Sequence, residues 1–136
     1  MRVFLDTNVL ISAFAVRGLC ADLMRLLLAE HEVLTGEVNL TELRRVLTKR
    51  FKATDAQVNA IEQLLRDQTV IHKPDTVLSV KVRDADDAWV LASAVAGQAE
   101  LLVTGDDDLL VLAAKAPLPI VSPREAWTRL RGEGGL

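Results

Sequence analysis

Hydrophobic residues fall into two patterns along this chain, and each pattern predicts one kind of secondary structure. Short, mostly apolar runs predict buried strands, and they lie at 3–5, 33–35, 70–71, 101–103 and 120–121. Runs that are apolar throughout, rather than alternating, are typical of a parallel sheet that is covered on both faces. The segments between these runs predict helices at 8–14, 21–30, 87–96 and 109–116, and the helix at 87–96 is expected to be buried because it is apolar nearly all round.

Capping residues and one apolar stripe predict three further helices. The stripe is formed by Leu40, Leu43, Leu47 and Phe51. Thr54 and Gln57 form a capping box that opens a helix running toward position 66. Ser122 and Pro123 open the last helix, with Glu125 in its first turn. Only segment 75–83 has no readable pattern.

Strands that alternate with helices predict an α/β fold, in which a central parallel sheet of about five strands lies between two helical layers. No repeat, linker or low-complexity tract divides the 136 residues. We therefore expect a single domain over 1–136, with a frayed tail at 132–136.

Composition excludes several classes of protein. Cys20 is the only cysteine, so the chain can form neither an internal disulfide nor a cysteine-based zinc site. No stretch reaches the roughly 20 apolar residues that span a bilayer, and an acid at Asp6 comes too early for a signal peptide. These features predict a cytoplasmic protein that does not enter the membrane.

The charge is unevenly distributed, although its sum is only −3. Seven acidic residues and no Lys or Arg lie between Asp84 and Asp108. Basic residues crowd instead into one short stretch, at Arg44, Arg45, Lys49, Arg50 and Lys52. The low net charge argues against nucleic-acid binding by bulk positive charge, but it is compatible with an acidic centre that a metal neutralises.

Acids recur at three places where a parallel fold would bring them to one edge. Asp6 ends the first strand, and a second group follows the strand at 101–103, namely Asp106, Asp107 and Asp108. The third group, Asp84, Asp86 and Asp87, opens the buried helix. Ligands of such sheets bind beyond the carboxyl ends of the strands. Converging carboxylates attract a hard divalent cation such as Mg²⁺ or Mn²⁺, which can activate water against a phosphodiester.

Each group also has a plainer interpretation. Asp6 can cap the following helix, the acids at 84–87 can cap and favour a first helical turn, and those at 106–108 can form a polar turn. Glu42 can form a surface pair with Arg45. The basic stretch can either contact RNA phosphates through Arg45 and Lys49 or form a solvated face.

Four motifs in order resemble the PIN-domain family, in particular the VapC-like ribonuclease toxins of toxin–antitoxin pairs. The first is the opening segment 4–11 with Asp6, Thr7 and Asn8, and the second is Glu42. The third and fourth are segments 83–87 and 103–110, and the closing segment 120–125 is also similar to that subgroup. Together they cover nearly the whole chain.

The resemblance implies a Mg²⁺- or Mn²⁺-dependent endoribonuclease that acts on an RNA substrate, is often a homodimer and is inhibited by an antitoxin protein. It assigns the catalytic acids to Asp6, Glu42, Asp87 and Asp106, with Asp6, Asp87, Asp106 and Asp108 as metal ligands. It gives supporting roles to Thr7, Asn8, Asp84 and Thr104: the two hydroxyls position ligands or water, and Asn8 orients Asp6. Spacing alone favours Asp87 over Asp84 as the third ligand.

Two other functions stay open. A phosphatase or phospho-acceptor domain also places Asp at strand ends, but it would favour a second acid near Asp6 and a Lys after the last strand. Thr7 and Asn8 follow Asp6 instead, and Ser122 follows the last strand. A non-catalytic PIN-like module that only binds a partner or RNA is the second alternative, which the retention of every acid disfavours.

Overall fold

A computed structural model describes residues 1–78 and 84–134, with the side chains of 132–134 excepted. The elements, in chain order, are β1 Arg2–Leu5, α1 Thr7–Ala15, α2 Leu19–Glu30, β2 Glu32–Gly36, α3 Glu37–Lys49, α4 Asp55–Arg66, β3 Thr69–Ile71, α5 Ala85–Ala96, β4 Leu101–Val103, α6 Asp107–Leu110, β5 Ile120–Val121 and α7 Pro123–Gly134. Arg83 of the third motif and most of the unreadable segment 75–83 lie outside the described residues.

The five strands form one parallel sheet in the order β3-β2-β1-β4-β5, as the pattern of apolar runs predicts. The chain first moves outward from β1 to β2 and β3, and then returns to the other side of β1 to form β4 and β5. The register pairs Leu5 of β1 with Val103 of β4. The next residues, Asp6 and Thr104, therefore leave the sheet side by side.

Side chains of the sheet pack into two hydrophobic cores, one on each face. Val3 and Leu5 belong to the core that α1, α2, α3, α4 and α7 cover. Phe4 and Leu102 point to the opposite core, which α5 and the segment around α6 cover. Alternate residues of one strand thus serve opposite faces, and the three-layer α/β/α architecture is confirmed.

Three helix ends differ from the prediction. The predicted helix at 109–116 is wrong in extent, because α6 ends at Leu110 and continues as turns, with the Ala113 amide bonded only three residues back to Leu110. Phe51 lies beyond α3 and is 43% exposed, since the chain turns through Lys52, whose φ is +53°. At the carboxyl terminus, α7 continues to Gly134, into the segment expected to fray.

Within the described ranges, no helix is both long enough and apolar enough to cross a bilayer.

Candidate active site

The acidic residues meet where the strand order reverses. β1 lies between β2 and β4, so the connections that leave β1 and β4 diverge to opposite sides of the sheet. Such a switch point opens a crevice at the carboxyl ends of the strands. Asp6 follows β1 at this place, and Thr104 and Asp106 follow β4.

Asp6 is buried and saturated with hydrogen bonds. Its Oδ1 accepts from the Thr7 amide at 2.8 Å and from Asn39 Nδ2 at 3.1 Å. Its Oδ2 accepts from Thr104 Oγ1 at 2.7 Å and from Asn8 Nδ2 at 3.2 Å. Asp6 is therefore the N-cap of α1 and part of the acidic edge at once. Burial raises the pKa of its carboxyl, while the bond from Thr104 opposes that rise.

The loop after β4 is ordered by short-range hydrogen bonds. Thr104 Oγ1, which donates to Asp6, also accepts from the Asp106 amide at 3.0 Å. Asn8 Oδ1 accepts from the Gly105 amide at 2.8 Å, which ties the loop to α1. Asp106 in turn caps α6, because its Oδ1 accepts from the Asp108 amide at 2.9 Å. Thr104 and Asn8 thus link the two strand ends, and each of them also donates to Asp6.

Three carboxylates converge into one potential ligand group. Asp87, Asp106 and Asp108 each offer an oxygen, and these oxygens lie within 4.8 Å of one another. Asp87 is only 6% exposed, and its Oδ2 is buried without a hydrogen-bond partner among the described residues. Burial in the first place, and then the charge of Asp106, raise the pKa of Asp87 to about 7.

This donor set fits a divalent cation. An unpaired, buried carboxylate oxygen is costly unless a charge of opposite sign compensates it. Oxygen donors alone favour Mg²⁺ or Mn²⁺ over softer metals. Asp87 thus brings a buried carboxylate with one unpaired oxygen to a donor set that a hard cation would complete.

Asp6 lies beside this group of three rather than within it. The charge of Asp106 raises the pKa of Asp6, and the charge of Asp6 raises the pKa of Asp87. The four hydrogen-bond donors to Asp6 are Thr7, Asn8, Asn39 and Thr104. Asp6 therefore borders the group of three carboxylates and acts on it through its negative charge.

Glu42 belongs to the same edge through α3. It is half-buried, and burial raises its pKa, followed by the charge of Asp6. Asp86 and Asp84 act on it in the same direction, and Arg45 acts against them. Within the described part of the chain, Glu42 and Arg45 form no ion pair within 4 Å. The two side chains act on each other through their charges rather than through a direct ion pair.

Asp84 and the basic candidates lie farther out. Asp84 is exposed and caps α5, accepting from the Asp86 amide at 2.9 Å. It is outside the group of three, which contains Asp87 instead. Arg45 lines a cavity of about 280 Å³ that adjoins Asp6 through Thr7 and Asn39. Lys49 is exposed in the last turn of α3 and does not line that cavity.

Sequence reasoning missed Asn39. This residue is 1% exposed, and its amide donates both to Asp6 and to Thr7 Oγ1, the latter at 3.0 Å. Gly36, one turn earlier, leaves room for it: a Cβ added to Gly36 would lie 3.0 Å from Asn39 Oδ1. The available signal was that Asn39 precedes Glu42 by three positions and so shares its face of α3.

Comparison with known proteins identifies the class of this fold and site. A sequence model described as the PIN domain matches residues 2–108, most of the chain. The chain belongs to the PIN-domain family. No curated protein matches the sequence.

Solved structures agree on the fold at low identity. VapBC2 from Rickettsia felis, bound to a DNA fragment from their promoter, has a TM-score of 0.61 at 15% identity and covers 90% of this chain and 98% of its own. VapBC-1 from nontypeable Haemophilus influenzae has a TM-score of 0.63 at 17% identity, covering 91% and 99%. Mycobacterium tuberculosis VapC20, a Sarcin-Ricin loop cleaving toxin, has a TM-score of 0.56 at 16% identity, covering 78% and 91%. At these identities the similarity shows a shared fold.

Proposed function

We propose that this protein is a Mg²⁺- or Mn²⁺-dependent endoribonuclease that hydrolyses RNA phosphodiester bonds. One observation carries the proposal: Asp87, Asp106 and Asp108 present oxygens within 4.8 Å of one another, at the switch point of a PIN-domain sheet. The Oδ2 of Asp87 supports it, because this buried atom has no hydrogen-bond partner among the described residues and a cation would compensate its charge.

The carboxylates divide into ligands and neighbours in this proposal. Asp87, Asp106 and Asp108 would hold the cation, and Asp6, whose two oxygens already accept four hydrogen bonds, would border the site. A bound divalent cation lowers the pKa of water and stabilises charge on a phosphate. Glu42 lies close enough to feel the charge of Asp6, and its raised pKa suits it to accept a proton from an attacking water. Thr104 and Asn8 hold Asp6, and Asp84 supports α5.

RNA is the proposed substrate, and it would approach from the side of α3. Arg45 lines the cavity beside the acids, and Lys49 lies one turn farther along α3. Both can contact backbone phosphates, which position a strand without reading its sequence. The position of these two positive charges on α3 supports this direction of approach.

We further propose that the protein is the toxin of a toxin–antitoxin pair in the cytoplasm, a homodimer inhibited by an antitoxin protein. The VapBC proteins among its structural neighbours support this proposal. An acidic crevice with unpaired cations nearby would be a suitable target for an inhibitor that occupies it. Copurification with the product of an adjacent small open reading frame would test it.

The phospho-acceptor alternative is disfavoured at the residue it needs. An acceptor Asp must present an oxygen to the phosphate, yet both oxygens of Asp6 already accept two hydrogen bonds each, and the residue is 5% exposed. Such a carboxylate is a poor nucleophile in this arrangement.

Cleavage of a mixed-sequence single-stranded RNA tests the proposed function. We expect cleavage with Mg²⁺ or Mn²⁺, none with EDTA, and a loss of at least about a hundredfold in rate in Asp106→Asn and in Asp6→Asn. Asp107→Asn is the matched control, since Asp107 is exposed and outside the ligand group. Cleavage that survives EDTA, or equal loss in Asp107→Asn, would contradict the proposal.

A further inference from the structure

The cavity beside the acidic edge carries positive charge as well as negative. Thr7 and Asn39 line it, and both are hydrogen-bonded to Asp6. Glu42 and Asp86 line it as well. Arg45 from α3 and Lys73 from the segment after β3 also line it. Its volume of about 280 Å³ is at the lower end of small-ligand pockets. It has room for one nucleotide rather than for a length of strand.

Arg45 and Lys73 differ from Arg44 and Arg66 in how their charges are compensated. Arg44 pairs with Glu62 at 3.0 Å, and Arg66 pairs with Glu37 at 2.7 Å. Among the residues that the structure describes, neither Arg45 nor Lys73 forms an ion pair with a carboxylate. Two unpaired cations on one cavity, beside a cluster of acids, mark a place where an anion can bind without displacing an internal partner.

Trp89 holds Lys73 at this cavity. The Lys73 ammonium lies 4.3 Å from the centre of the Trp89 ring, a cation–π distance. Trp89 lies on α5 two residues after Asp87, and it shares a helix face with Asp86, three positions earlier. The helix that supplies a candidate metal ligand therefore also supplies the ring that positions the lysine.

We propose that this cavity is a nucleotide subsite, in which Arg45 and Lys73 bind the phosphate next to the scissile one and Trp89 positions Lys73. The assignment rests on the proposed ribonuclease function, because the subsite borders its acidic edge. Trp89 lines the cavity together with the two cations, so a nucleotide bound there by its phosphate would also contact an aromatic side chain. Lys73 and Trp89 would thus set how the strand enters the site.

Salt dependence of RNA binding tests the phosphate contacts. Binding is measured with a fluorescently labelled mixed-sequence single-stranded RNA in KCl and EDTA, in the Asp106→Asn background so that the strand stays uncut. Removing one phosphate contact should flatten the slope of log Kd against log salt by about 0.7 and raise Kd about fivefold at 0.1 M salt. We expect this change in Lys73→Ala and in Arg45→Ala. Lys73→Arg, which keeps the charge, should restore binding.

Lys115→Ala is the matched control. Lys115 is an exposed lysine in the turns after α6, outside the cavity, and its removal costs the same unit of charge. We expect it to leave the slope unchanged. If Lys73→Ala and Lys115→Ala have equal slopes and equal affinities, the subsite proposal is overturned.

Fluorescence reports directly on Trp89. The chain has two tryptophans, so Trp127→Phe leaves Trp89 as the single emitter. RNA should change its emission, and Lys73→Ala should shift the midpoint of that titration about fivefold. Inorganic phosphate at the same phosphate concentration should leave the emission unchanged. An equal response to inorganic phosphate would overturn a nucleotide subsite in favour of a general anion site.

The subsite and the ribonuclease function can fail separately. RNA binding that depends on Lys73, without any metal-dependent cleavage, would overturn the function and support the subsite. Cleavage that is unaffected by Lys73→Ala and Arg45→Ala would support the function and overturn the subsite. Absence of any RNA binding would overturn both.

Discussion

Asp6 performs two tasks with one side chain. As the N-cap of α1 it accepts from the Thr7 amide, and as part of the acidic edge it is held by Thr104 and Asn39. The sequence offers these tasks as alternatives, because a capping Asp and a site Asp have the same pattern. Because Asp6 directly follows the buried strand β1, the same position that caps α1 also places its carboxylate at the switch point.

The choice between Asp84 and Asp87 depended on where α5 begins. Since the helix starts at Ala85, Asp84 is its exposed cap, and Asp87 enters the first turn and turns inward. A helix that began three residues later would have made Asp87 the cap instead. Helix boundaries are the least certain part of a sequence pattern, so spacing could suggest Asp87 but could not establish it.

Asn39 is predicted to position Asp6. Asn39→Ala removes the donor to Asp6 Oδ1 and leaves that buried oxygen short of a partner. We expect a loss of about 1–3 kcal/mol in the free energy of unfolding. We also expect kcat for RNA cleavage to fall about tenfold with KM within about twofold, because the lost hydrogen bonds hold Asp6 and Thr7, while Arg45 and Lys73, the proposed phosphate contacts, remain. Chemical denaturation and steady-state kinetics measure both.

The control for this prediction is Asn59→Ala. Asn59 is an exposed asparagine on α4 that accepts from Arg44 at 2.7 Å. It should change stability by less than about 0.5 kcal/mol and leave kcat unaltered. Equal kcat in Asn39→Ala and in the intact protein would show that Asn39 only fills space.

At the scale of elements, an ion-pair network fixes α3 against α4. Arg66 on α4 donates to both oxygens of Glu37 on α3, at 2.7 and 3.0 Å, and to Glu62 at 2.9 Å. The hydrogen bonds from Arg66 lower the pKa of Glu37 and of Glu62. Because α3 also carries Glu42, Asn39 and Arg45, the network orients the helix that serves the site.

Arg66→Ala should weaken this helix pair modestly. All three groups are partly exposed and screened, so we expect a loss of about 0.5–1 kcal/mol in unfolding free energy at pH 7. Both glutamates have lowered pKa values in the folded state. The network therefore stabilises the folded protein fully at pH values above their ordinary pKa of 4.5, and this stabilisation is lost as the pH falls through the lowered pKa values. Denaturation of both proteins between pH 7 and pH 3 measures the difference.

Arg25→Ala serves for comparison, because its pair with Asp22 lies within α2 and is more exposed. Its removal should cost less and should leave α3 in place. A difference between Arg66→Ala and the intact protein that grows as the pH falls would contradict the sign given above.

Most elements could be predicted from the sequence, because buried strands and helix caps leave local signals. The runs at 101–103 and 120–121 correspond to β4 and β5, and the capping box of Thr54 and Gln57 forms as expected. Lys73 and Trp89 left no such signal. Their contact joins two segments that are distant in sequence, and only the tertiary fold brings a lysine over that ring.

At the scale of the whole molecule, topology rather than net charge creates the site. The chain carries −3 overall, yet Asp6, Asp87, Asp106 and Asp108 meet at the edge where β1 and β4 diverge, and Arg45 and Lys73 line the cavity beside them. The order of motifs predicted this convergence, since parallel strands end at the same edge. The sequence did not predict which oxygens would remain without partners, because that depends on side-chain packing.

Direct measurement of Mn²⁺ binding tests the central claim, that this edge is built for a divalent cation. The electron paramagnetic resonance signal of free Mn²⁺ is followed as intact protein, Asp106→Asn and Asp107→Asn are titrated. We expect the intact protein and Asp107→Asn to bind with similar affinity, and Asp106→Asn to bind at least about tenfold more weakly. Equal affinity in all three proteins, or no binding by the intact protein at millimolar Mn²⁺, would contradict the account.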